Sequence, residues 1–177
     1  MDRMAPSLLA RPVLLVGAAA TAIAFALSIR LSAPALTPPV DIIALEMAGT
    51  PDSATALLQA WGPAGTAYLR QSLWLDFGLI LGYTVFLTLA CFLLRNRWQT
   101  QWPRLATLAN LLGAGMLLAG VCDVLENLAL FQVLAASANP MWAALAAVAA
   151  RVKFTLLVIG VPFTWLGGLI TLASSPV

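Results

Sequence analysis

The chain has no histidine and only two cysteines among its 177 residues. The first absence removes His-ligated haem, zinc–histidine sites and Ser–His catalysis. The two thiols, Cys91 and Cys122, fall near opposite ends of different apolar runs, so they face opposite sides and cannot pair. There is no CxxC pair, phosphate-binding glycine loop or dinucleotide fingerprint. Gly113-Ala114-Gly115 lies inside an apolar run and lacks the strand such a motif follows. Charge is scarce as well, at 9% of residues against about a quarter in soluble domains. A net charge of +2, with no basic stripe carrying interleaved aromatics, excludes nucleic acid as a partner. No arginine repeat suggests voltage sensing, and no internal repeat suggests a transport path. Neither a cofactor nor a metal is expected.

What the chain has in abundance is apolar length. Hydrophobic residues make up 62% of it, more than a soluble domain of this size could bury, whereas lipid covers such surface without cost. Four runs, 12–29, 72–94, 105–122 and 154–173, each come near the roughly 20 residues a helix needs to cross the hydrocarbon core. The third extends through DVLENLALFQVL to about 135, and the AALAAVAA stretch after Pro140 joins the fourth. The expected fold is an all-α integral membrane protein, one domain over 1–177, with four transmembrane helices in a bundle. Arg3 and Arg11 ahead of the first run, with Ser32-Ala33-Pro34-Ala35 after it, also have the outline of a signal peptide. The run is longer than the usual 7–15 residues, and Arg30 stands between it and any cleavage point. An uncleaved first helix is the expectation.

Basic residues set the orientation. Arg3, Arg11, Arg95, Arg97 and Arg104 share one side with Asp2 alone. Arg30, Arg70, Arg151 and Lys153 share the other with Asp41, Glu46, Asp52, Asp76, Asp123 and Glu126. The positive-inside rule places both termini in the cytoplasm, and a bacterial inner membrane is the expected location. Trp98 and Trp102 fit an inner aromatic belt, and Trp61, Trp74 and Trp142 an outer one.

One connection is long, 31–71, and it carries its own helix signals. Asp41 caps a short amphipathic helix that Gly49 stops; Thr50 with Pro51 starts a second, which Gly62 ends. Long ordered connections serve as lids, binding loops or docking surfaces; a plain interfacial anchor is the alternative.

Helical spacing then gathers candidates. Gly17, Thr21, Ala24 and Ser28 form a small or polar stripe expected to face inward on the first span. Asp76 and Tyr83 share a face of the second. Gly113, Gly120, Asp123 and Asn127 align on the third, and Lys153, Leu157, Gly160, Thr164 and Gly167 on the fourth, with Pro162 a kink. Small residues promote close packing. Packing does not account for charged residues ending three stripes at one level, together with Arg30 and Arg151. Charges at membrane depth are costly, so they are paired, inward or wet. Lys153 is expected to pair with Asp76 or Asp123, and Glu126 with Arg151. Two outcomes stay open: a salt-bridge cluster that fixes helix register, or the polar floor of an apolar pocket built from Asp76, Tyr83, Asp123, Glu126, Asn127 and Lys153.

The long first connection and the run SLWLDFGLILGY, an acid early in span two followed by a tyrosine, resemble in layout the four-helix EXPERA-type membrane proteins. These include sterol isomerases and ligand-binding receptors. The leading expectation is a binding protein for a lipid, isoprenoid or quinone-like molecule, its pocket opening outward under the connection, with membrane lipids as partners. An accessory subunit of a larger membrane complex, or a homo-oligomer, comes second. An isomerase-like enzyme using carboxylates comes third.

Overall fold

The computed structural model describes residues 10–33, 35–135 and 139–173; Asp2, Arg3 and Pro34 lie outside these. Helix is the only regular structure among them: α1 (Ala10–Leu31), α2 (Ile42–Glu46), α3 (Pro51–Trp98), α4 (Pro103–Leu134) and α5 (Pro140–Ala173). Three of them, α3, α4 and α5, are long and apolar enough to cross a bilayer, which marks an integral membrane protein. Leu81, Leu111, Val158 and Leu166 stand exposed, a surface that lipid satisfies and water does not. As expected, α4 runs past Cys122 to Leu134 and the stretch after Pro140 is continuous with the fourth run in α5, through Pro162.

The connection is shorter than the sequence implies. Asp41 caps α2 by accepting a hydrogen bond from the Ala44 amide at 3.1 Å. Gly49 turns the chain with φ +70°, and Thr50 caps the next helix by accepting from the Ser53 amide at 3.3 Å. That helix is not separate, however. It runs on into the second span as α3, with a break kept at Gly62 (φ 63°, ψ −166°) ahead of Pro63. The reason is local: Pro63 has no amide hydrogen to give to the preceding turn, yet its fixed φ suits the first position of the next one.

α3 is the hub, packing against α1, α4 and α5, while α4 packs against α5 and α2 touches α3 and α5. Backbones approach closely at Gly82, where a Cβ would meet the Ala22 nitrogen at 2.5 Å and the Ala18 oxygen at 2.9 Å. The face of α1 that meets α3 is therefore Ala18, Ala22 and Phe25, whose ring lies over Gly78. This corrects the expected inward stripe. Gly17, Ala24 and Ser28 are exposed. The Thr21 and Ser28 hydroxyls donate to the Gly17 and Ala24 carbonyls of their own helix, both at 2.8 Å. Hydroxyls satisfied within the helix can face lipid without cost, and the Phe25 ring decides which side is buried.

The core forms in layers. Leu45, Trp61, Leu69, Leu73 and Leu130 fill the end nearest α2. Leu87, Cys91, Leu112 and Met116 fill the middle, and Leu94, Trp98, Ala106 and Ala109 the opposite end. Trp61 and Trp98, expected in aromatic belts, are core residues at 5% and 2% exposure. Trp98 meets Phe163 edge-on at 5.8 Å. Trp74 stays 67% exposed.

Candidate functional site

Four helices deliver charge to one point. On α4, Asp123, Glu126 and Asn127 stand at i, i+3 and i+4 and so share a face. Lys153 comes from α5, Asp76 and Tyr83 from α3, and Glu46 from the last position of α2. The Lys153 ammonium donates to Asp123 Oδ1 at 2.9 Å and to Glu126 Oε1 at 2.9 Å. Glu126 Oε2 lies 2.8 Å from the same nitrogen as an ion-pair contact off the hydrogen-bond direction, and Glu46 Oε2 lies 3.6 Å away. The Tyr83 hydroxyl donates to the other oxygen of Asp123, Oδ2, at 2.7 Å. Asn127 Nδ2 donates to Asp76 Oδ2 at 2.8 Å, tying α4 to α3.

The cluster is sealed. Glu126, Asn127, Lys153 and Asp123 are 0%, 1%, 4% and 5% exposed. Three carboxylates surround one ammonium, so the site carries excess negative charge if all are ionised. Burial disfavours that charge. Glu46, on the short helix outside the spans, shows the effect: burial pushes its carboxyl above the usual range, with the Lys153 charge opposing the shift. The set is thus an ion cluster that joins α2, α4 and α5, with Tyr83 and the Asp76–Asn127 bridge fastening α3.

All six residues expected at the site lie in this network, and of the two partners expected for Lys153 it takes one. Lys153 binds Asp123 and not Asp76. Glu126 pairs with Lys153 and not with Arg151, which is exposed. Two positions along a helix turn a side chain by about 200°, so Lys153 and Arg151 cannot both face the cluster. Arg30 is exposed at the end of α1, where the neighbouring Ile29 carbonyl accepts from the Tyr68 hydroxyl at 3.1 Å. Glu46 is the member the sequence reading missed. Its signal was a single acid inside the apolar run Ile42-Ile43-Ala44-Leu45-Glu46-Met47.

Beneath α2, Glu46 and Lys153 approach each other to 3.6 Å. Concavities lie outside the cluster as well. An apolar groove of about 590 Å³ runs between α3 and α4, lined by residues including Phe77, Leu81, Thr84, Leu117, Val121 and Leu125. A hollow of about 700 Å³ lies along α3 at the Gly62–Pro63 break, with Thr55, Gln59, Thr66 and Arg70 on its wall. Comparison of the chain with protein-family models, curated proteins and solved structures finds no match.

Proposed function

We propose that the protein is a small polytopic membrane protein that holds a hydrophobic ligand, such as a lipid, isoprenoid or quinone, along the α3–α4 groove. In this reading α1 is a fourth span, the four helices form a bundle in a bacterial inner membrane, and both termini are cytoplasmic. The observation that carries it is the groove itself: a lipid-facing apolar channel, about 590 Å³ in volume, in the size range of small-molecule sites. The ion cluster beside it serves as the rigid frame. Asp76, half-buried next to Phe77 and bridged to Asn127 of α4, holds the two walls together at the end nearest α2.

The test is native mass spectrometry of the gently extracted protein, with Val121→Trp as the probe. The side chain at Val121 is exposed, so a tryptophan there fills the groove without disturbing the core. A copurifying small molecule should be present in the parent and lost in the variant. Equal occupancy in both would remove the groove from consideration.

A second reading, an accessory subunit of a larger complex, draws on the outward face of α1. Gly17, Thr21, Ala24 and Ser28 make the kind of small-residue surface on which another transmembrane helix packs closely. Crosslinking from a cysteine at Ala24 should capture a partner chain under that reading, and lipid alone under the first.

A further inference from the structure

The groove and the hollow share one face of α3. Arg70, Trp74, Phe77 and Leu81 follow one another at intervals of four, three and four residues, which aligns them along a single stripe of the helix. Arg70 lines the hollow, Phe77 and Leu81 line the groove, and Trp74 bridges the two, 67% exposed and packed against Phe77 and Phe131 at ring distances of 5.9 and 5.1 Å. An exposed tryptophan at the start of an apolar run belongs at the headgroup level of a bilayer, where its ring is at home between water and acyl chain. Arg70 stands one turn above it.

No acidic side chain among the described residues pairs with Arg70. At this end of the molecule Glu46, Asp123 and Glu126 are committed inward to Lys153, and Asp76 accepts from Asn127. Arg70 is exposed and makes no ion pair with a described residue. A guanidinium matches phosphate oxygens with paired donors. The hollow above it has room for a headgroup, and the Gln59 amide on its wall offers further hydrogen bonds.

We propose that the groove's ligand is a phosphate-headed lipid, its phosphate on Arg70, its headgroup in the hollow at the Gly62–Pro63 break and one acyl chain in the α3–α4 groove. This rests on the groove being the ligand site and adds the class of molecule. It holds whichever leaflet this end of the protein faces.

The experiment uses delipidated full-length protein and two probes with identical acyl chains, phosphatidylglycerol and diacylglycerol, with retention read by native mass spectrometry. The parent should retain phosphatidylglycerol about tenfold better, the return expected of a charge-assisted contact at an exposed site. Arg70→Gln should bring that ratio close to one while leaving diacylglycerol retention unchanged. Val121→Trp should lower retention of both lipids. Equal retention of the two lipids by the parent, or a preference that survives Arg70→Gln, overturns the phosphate seat. If either result comes with loss of both lipids in Val121→Trp, the groove stands and only the headgroup assignment falls. Binding of both lipids undiminished in Val121→Trp overturns the groove and the seat together.

Discussion

Replacing Lys153 by methionine removes the counter-ion from three carboxylates at once. The ammonium lies 2.9 Å from Asp123 and 2.8 Å from Glu126, but 3.6 Å from Glu46, so the first two contacts dominate. At an effective dielectric of about 20, a contact at 4 Å is worth about 4 kcal/mol of attraction. Most of this is offset by the cost of burying the ions, and removing one partner of a buried pair costs about 3–5 kcal/mol net. Only 5% of the lysine side chain is exposed, so solvent offers little relief. For a chain of this size such a loss corresponds to a fall in Tm on the order of 10 °C, measurable by thermal unfolding in detergent. Adding Asp123→Asn, Glu126→Gln and Glu46→Gln to Lys153→Met should then recover part of the loss, because the unpaired charges disappear with their partner. Lys153→Met unfolding with the parent, or the added changes destabilising it further, would refute the ion-cluster energetics.

Glu46 sets a pH dependence. Burial holds its carboxyl above the unfolded value, so the folded state binds the extra proton. The resulting stabilisation is complete below the unfolded pKa and is lost as pH rises through the folded one. Tm of the parent should therefore decline as pH rises above the ordinary carboxylate range, and Glu46→Gln should flatten that decline; parallel profiles would exclude Glu46 as its source. Gly82→Ala should cost about 1–3 kcal/mol, because its Cβ meets α1 backbone that has no rotamer to yield; a parent-like Tm would mean that α1 sits further off. In a cysteine-labelling scan, Gln99 should label from the cytoplasm and Ser53 from outside. Ser53 is exposed, whereas Ala54 is 2% exposed and would resist reagent on either side. Gln99 reacting in intact cells would reverse the orientation.

Helix extents were legible because caps and breakers act locally. Asp41, Thr50, Gly49 and Gly62 all do what their chemistry implies, and only the fusion across Pro63 escaped, since a proline that ends one helix also suits the start of another. The face shared by Asp76 and Tyr83, and that shared by Asp123 and Asn127, followed from spacing alone. Pairing did not. Whether Lys153 meets Asp123 or Asp76 depends on how far one helix is shifted along another, which no periodicity encodes. The small stripe of α1 was misread for a related reason. Gly17, Thr21, Ala24 and Ser28 suit both a tight helix contact and a lipid face with self-satisfied hydroxyls, and the choice fell to Phe25 fitting over Gly78. Glu46 went unseen because a lone acid on a five-residue helix looks like surface until the neighbouring helices are placed.

The order in which the cluster's members leave the ribosome has a consequence for biogenesis. Asp123 and Glu126 are made 30 and 27 residues before Lys153. Until α5 emerges, α4 must enter the bilayer with acids that have no counter-charge, each costing about 2.5–3.5 kcal/mol near a helix centre if ionised. The economical course is for α4 to wait at the insertion machinery and partition together with α5 as a hairpin, the lysine acting as the release signal. A nascent chain ended after Leu134 is therefore expected to leave α4 poorly inserted, and restoring the sequence through Lys153 and the apolar run behind it should bring both helices in together.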